Sequence, residues 1–310
     1  MSSPFVLTPE WEWLIVLEMF IAGLAAGTIL FIVYGNLFGD PEDLEISSRL
    51  GIIPAPFMLL AAILLISDLG QPGRFPNLLV RSAAAPERGP GFFMLNPNSP
   101  MSWGTYIILI FGLLTAVAFL DALHHLPKVP FRWPDPFCGI VHNPIYLVVV
   151  GFFAMATGVY SGILLNVTNQ GVWSDTILMG TLYVVLTGLE GMAVATLATE
   201  RWRAWNTAFA AKTALGLFAI LTAIVMVAFV VGVAASGHVG SLVASLDALV
   251  APVFWIGVIA AIVAPLAALF GRIGVSGRVM RTGALGIVVL VGVLAIRYAV
   301  VYSSIAFVQG

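Results

Sequence analysis

Charged side chains make up only 9% of the 310 residues, against 60% hydrophobic. A soluble domain carries roughly 25% charge, so this chain cannot cover itself with a water-facing surface and is expected to be a polytopic membrane protein surrounded by lipid. Its net charge is −2, and no basic arm or Lys/Arg-rich amphipathic helix is present. Nucleic acid is therefore excluded as a partner. Cysteine is almost lacking: Cys138 alone rules out an internal disulfide and the several thiolates that an iron–sulfur cluster needs, so any electrons must come from another subunit. Histidine is scarce as well. His124, His125 and His142 fall at one membrane boundary and His238 in a loop, whereas a bis-histidine haem requires imidazoles on facing helices within the bilayer; no haem is expected. Residues 1–12 hold Glu10 and Glu12 and no Lys or Arg, so the first apolar run is not read as a cleaved signal peptide.

What the chain has instead is apolar runs, at about 13–36, 50–67, 101–120, 144–166, 174–198, 213–236, 247–270 and 282–304. Each approaches the ~20 residues of a spanning helix, which predicts an all-α protein with eight transmembrane helices. Pro54 and Pro56 in the second run and Pro252 and Pro265 in the seventh predict kinks. An even number of spans puts both termini on one side. Loops on that side hold Arg74, Arg81 and Arg88, whereas the opposite loops hold Arg49, Lys128, Arg132, Arg201, Arg203, Lys212, Arg272, Arg278 and Arg281. The richer side is expected to be cytoplasmic, with both termini outward. The outer loop 68–100, punctuated by ten Gly and Pro residues, is expected to be ordered by a docked partner.

Within the first run, Glu18 is followed by Gly23 and Gly27. A carboxylate facing lipid is costly, so Glu18 should face protein and mark a functional site, while the small-xxx-small pair lets another helix approach closely. The alternative is that Glu18 snorkels to the headgroups. Counting inward at 1.5 Å per residue, Glu18 lies about 8 Å in on the first helix, Tyr160 about 9 Å in on the fourth and Arg297 about 10 Å in on the eighth. Trp103 and Tyr106 open the third helix nearby, and Asp68 closes the second. A carboxylate, a phenol and a guanidinium at one level suit a ligand with an apolar tail and two hydrogen-bonding oxygens that exchange protons, as a quinone headgroup does. Glu190, counted about 24 Å from the outer end of the fifth helix, is expected at a different depth, as a proton-relay residue or a structural carboxylate. A rival reading is a proton-coupled secondary transporter using Glu18 and Glu190, with the proline-broken helices as its discontinuous elements. Against it, the halves show no clear repeat.

Five segments resemble the NrfD-like family of membrane subunits from polysulfide-reductase-type complexes: Trp11 to Trp13 leading to Gly23-Leu-Ala-Ala-Gly27; Asp68-Leu-Gly-Gln-Pro-Gly-Arg74-Phe75; Asn96-Pro-Asn98-Ser-Pro100-Met-Ser-Trp103; Tyr160-Ser-Gly162; and Arg297 to Tyr302. The resemblance implies two four-helix bundles, here residues 1–170 and 171–310, with a quinone (menaquinone or ubiquinone) bound in the first. It implies a ferredoxin-like 4Fe–4S subunit docked on the outer face of a prokaryotic cytoplasmic membrane, relaying electrons to or from a molybdopterin catalytic subunit; a multihaem cytochrome replaces the relay in some complexes. By motif, Tyr160 falls on the quinone-contacting tyrosine. Glu18 falls on a quinone-site position that is histidine in polysulfide reductase, a departure that keeps an acid–base group. Asp68, Arg74, Asn96 and Asn98 fall in segments implied to shape the mouth of the site and the partner interface.

Overall fold

The computed structural model describes residues 13–79, 99–125, 139–202, 205–270 and 282–309. Among these, eight helical stretches are long and apolar enough to cross a membrane: Trp13–Phe38, Pro41–Ser67, Pro100–His124, Pro144–Asn166, Met179–Trp202, Ala211–Ala235, Asp247–Phe270 and Gly283–Ser304. The protein is an all-α integral membrane protein, as its composition requires. The helices are α1 (Trp13–Phe38), α2 (Pro41–Leu50), α3 (Pro54–Ser67), α4 (Pro100–His125), α5 (Pro144–Asn166), α6 (Met179–Trp202), α7 (Trp205–Ala235), α8 (Val239–Val243), α9 (Val250–Val258), α10 (Ala264–Phe270) and α11 (Thr282–Gln309).

Both proline predictions correspond to breaks. The second span divides at a turn over Gly51–Ile53, and Pro54 then occupies the first turn of α3, where its missing N–H is not needed. The preceding α2 is polar, with Glu42 and Asp43 in its first turn and Arg49 in its last, which is why no hydropathy run announced it. In the seventh span, a π-helical turn over Ile259–Val263 separates α9 from α10. Pro265 has no N–H for the carbonyl of Ala261 and its ring crowds that position, so the helix widens by one residue just before it.

The centre of the molecule is α6, with 83% of its apolar core stretch buried, and α1, with 78%; for the spans of α3, α4 and α7 the figure is 28%. The last three therefore form the lipid-facing periphery. α6 packs against α1, α5, α7 and α11, and α1 against α3, α5, α6 and α11, so the two halves of the chain meet at a seam between α1, α6 and α11. Glycine makes that seam possible. A Cβ on Gly27 would penetrate the carbonyl oxygen of Thr187 and lie 2.9 Å from Cα of Gly191, and one on Gly191 would strike the backbone of Gly27. Gly27→Ala is accordingly expected to force α1 and α6 apart and to lower stability by about 1–3 kcal/mol, the usual cost of overpacking. Reversible unfolding in mixed detergent micelles, followed by helical circular dichroism, measures this; an unchanged midpoint would mean the seam is softer than its geometry implies.

Candidate functional site

The seam holds a group of buried polar side chains. On α11, Arg297 is wholly buried; its Nε donates to Oε1 of Glu190 at 3.0 Å and its Nη2 to Oε2 at 3.1 Å. This side-on pairing is the fork geometry that suits guanidinium to carboxylate. Nη2 also donates to the hydroxyl of Thr187 at 3.3 Å, while that hydroxyl donates to the carbonyl of Tyr183 at 3.0 Å. The guanidinium carbon stands 4.8 Å from the ring centroid of Tyr183, within cation–π range. Tyr183, Thr187 and Glu190 are spaced i, i+4, i+7 and so share one face of α6. That spacing was readable in the sequence and marks Tyr183 and Thr187 as site residues that the depth argument passed over.

From α1, Gly23 provides the notch that receives this pair: a Cβ there would strike the carboxylate of Glu190 and come 2.5 Å from Nη2 of Arg297. Glu18, five residues earlier on α1, is 5% exposed, so it faces protein and does not snorkel. It interacts electrostatically with Arg297 and with Asp68 at the end of α3, and Tyr160 on α5 feels its charge in turn. Two wholly or nearly buried carboxyl groups, Glu18 and Glu190, thus share one guanidinium.

The depth count put Glu190 well below Arg297, and the bidentate contact corrects it. The fifth span begins at Met179, because residues 167–178 form a loop that tucks Trp173 inside, its indole N–H donating to the carbonyl of Val300 at 2.7 Å. The eighth helix runs on to Gln309. From these ends Glu190 lies about 16 Å in and Arg297 about 18 Å in, level with each other and deeper than Glu18, which the count had put level with Arg297. The hydrogen bonds of Arg297 go to Glu190 and Thr187, and its influence on Glu18 is through space.

Tyr160 stands at the edge of this cluster. It is 7% exposed, and its ring lies directly over Gly104 of α4, so closely that no Cβ could be accommodated there. Its other edge lines a groove of about 510 Å³ between α4 and α5, walled by Trp103, Ile107, Phe152, Met155 and Val159. Trp103 is half-exposed on that wall. Tyr106 is turned elsewhere: its hydroxyl donates to the carbonyl of Leu79 at 2.7 Å, tying down the 3₁₀ turn Pro72–Leu78. Arg74 is exposed on that turn, and Asn96 and Asn98 lie outside the described residues. A second apolar cleft, about 570 Å³, lies between α3 and α4 under the same turn. The structure therefore brings together Glu18, Glu190 and Arg297 with Tyr183 and Thr187. It puts Tyr160 and Trp103 on a lipid-side groove that adjoins them, with Asp68 within electrostatic reach.

At the opposite end of α1 the polar contacts are of another kind. His142 Nδ1 and Asn36 Oδ1 are 2.6 Å apart, and the Asn36 amide donates to the carbonyl of Ile32, an arrangement that fastens the loop before α5 to the end of α1.

No curated protein matches the chain. A family model described as polysulphide reductase, NrfD, matches residues 6–309, and the chain therefore belongs to the NrfD family of membrane subunits of oxidoreductase complexes.

Proposed function

We propose that this chain is the quinone-reactive membrane subunit of a multi-subunit oxidoreductase, exchanging electrons between the membrane quinone pool and an iron–sulfur or multihaem partner. The observation that carries the reading is the position of Tyr160, whose ring closes a lipid-side apolar groove on one edge and adjoins the buried Glu18 cluster on the other. A quinone needs both features. Its prenyl tail must stay in apolar surroundings, and its headgroup oxygens need hydrogen-bond and proton partners.

In this reading the groove between α4 and α5 admits the substrate from the bilayer, with Trp103 guiding the ring. Tyr160 donates its hydroxyl hydrogen to one quinone oxygen. Glu18 takes a proton from, or gives one to, the substrate as it changes redox state, which is general acid–base chemistry by a positioned carboxyl. The electrons pass to the partner, since this chain has one cysteine and cannot hold a cluster. Asp68 and Arg74, at and beyond the end of α3, together with Asn96 and Asn98, would form the docking face for a ferredoxin-like subunit and through it a molybdopterin subunit. The termini and this face are assigned to the outside of a prokaryotic cytoplasmic membrane by the distribution of Lys and Arg.

Purification of the native complex in mild detergent tests the assignment: a cysteine-rich partner, iron, acid-labile sulfide and extractable quinone are expected in the same sample, and a metal-free chain without a redox partner would overturn it. Within that complex, Tyr160→Phe removes one hydrogen bond to the substrate and is expected to raise the apparent KM for quinol about tenfold. Gly104→Ala should exceed this, because it displaces the whole ring; equal KM values for wild type and both variants would remove Tyr160 from the site.

A further inference from the structure

The break in the second span leaves an open groove beside it. Pro54 has no N–H with which to continue α2, so the chain turns over Gly51–Ile53 before α3 begins. Ile53 and Phe57 line one part of a groove of about 360 Å³, and Leu24 of α1, Leu197 of α6 and Leu290 of α11 line the rest. Phe57, Leu197 and Leu290 are only partly buried, so this apolar groove opens outward to the lipid. One end of it is charged. Arg201 and Trp202, which close α6, line the groove as well, and Val194 lines it two turns deeper; the groove thus runs about 10 Å inward from the membrane boundary. Arg201 is exposed, and among the described residues no carboxylate pairs with it. The nearby carboxylates are occupied: Glu200 accepts the backbone N–H of Gly283, and Glu45 pairs with Arg49. The guanidinium carbon of Arg49 stands 5.7 Å from the ring centroid of Trp202, which fixes that indole at the rim by a cation–π contact.

We propose that this groove binds one anionic phospholipid, with an acyl chain along the apolar walls and the phosphate held by Arg201. Each end of the groove selects its part of that molecule. Among the described residues, Arg201 and Trp202 are its only lining side chains with a polar atom, so a polar group pushed deeper would lose its hydrogen bonds to water and gain none. An alkyl chain loses nothing there. At the rim, a guanidinium offers two parallel N–H donors to phosphate oxygens, and an indole suits the headgroup level. The rim also lies on the side richer in Lys and Arg, where basic side chains between spans attract anionic headgroups. A free phosphate would use Arg201 alone and leave the apolar walls bare, and a neutral quinone would leave the charge unmatched. A lipid seated here covers Phe57 and Leu290 together, filling the space between α3 and α11 and bracing the two halves of the chain against each other.

The native complex, delipidated in detergent, can be titrated with phosphatidylglycerol and with phosphatidylcholine of the same acyl chains, and the first lipid bound read by native mass spectrometry. Phosphatidylglycerol is expected to bind about fivefold more tightly, the effect of one basic side chain on an anionic headgroup. Arg201→Gln, a change at an exposed position, should bring its affinity down to that of phosphatidylcholine and leave the latter unchanged. Leu290→Trp fills the groove and should weaken both lipids about tenfold or more, since losing about two buried methylenes already costs that much. In nanodiscs containing both lipids, a structure of the complex should show a chain in the groove with its phosphate within hydrogen-bond reach of Arg201. Equal affinity for the two lipids, an Arg201→Gln complex that still prefers phosphatidylglycerol, undiminished binding in Leu290→Trp, or a quinone found in the groove each overturns the proposal. None of these readouts depends on quinone turnover, so the lipid site and the function proposed above stand or fall separately.

Discussion

Replacing Glu190 with Leu is expected to destabilise the chain by about 3–5 kcal/mol, the cost of leaving a buried charge without its partner. Arg297 is wholly buried between α1, α6 and α11, and no stretch of its side chain reaches water along which it could snorkel. Thr187 alone can accept only one of its hydrogens. The double replacement Glu190→Leu with Arg297→Met removes both charges and should recover most of the loss, since apolar side chains of similar volume commonly replace a buried pair at little cost. Glu18 supplies the remaining charge within reach of Arg297. In Glu190→Leu the guanidinium can turn to it, so adding Glu18→Gln should deepen the defect beyond the sum of the single effects. Unfolding midpoints of the single and combined variants in mixed micelles measure each of these terms. Additive losses would show that Arg297 does not join the two carboxyl groups.

The same cluster shows what the sequence could and could not reveal. Eight spans followed from apolar length alone, because a bilayer sets one fixed requirement that windows of residues meet or miss. Glu18 was legible as inward-facing because the energetic penalty for facing lipid is a property of the residue itself. The partner of Arg297 was not. Depth counting assumes straight helices with known ends, and Trp173 shows how that fails: its loop is apolar enough to merge with the fifth run, yet it folds in as a plug and moves the start of α6 by five residues, from the expected 174 to Met179. The π-helical turn before Pro265 and the polar α2 were hidden for related reasons. One depends on which carbonyl a proline ring crowds, and the other carries no hydropathy signal. Gly104 looked like an ordinary helix glycine, because its purpose belongs to the ring of Tyr160 on another helix. What local composition determines was readable; what depends on which helix meets which was not.

Glu18→Gln is expected to lower quinol turnover by about 10²–10⁴-fold, the usual contribution of a positioned general acid or base. Glutamine keeps the size and hydrogen-bonding shape of the carboxyl group but cannot carry a mobile proton. The seam should tolerate it, because Arg297 keeps both of its bonds to Glu190 and one of two carboxyl groups competing for a single guanidinium is removed. The loss should therefore fall on kcat, with the KM for quinol within about threefold of wild type, as expected for an interaction that matters in the transition state more than in binding. Glu18→Asp retains the acid–base group on a shorter arm and should recover part of the rate. Tyr160→Phe should show the opposite pattern, with KM raised and kcat largely kept, which separates the group that holds the substrate from the group that moves its proton. Steady-state assays on the native complex, with quinol and an artificial electron acceptor for the partner, distinguish the two. A Glu18→Gln complex that turns over at the wild-type rate would transfer the proton chemistry to another residue and leave Glu18 as a structural charge balanced by Arg297.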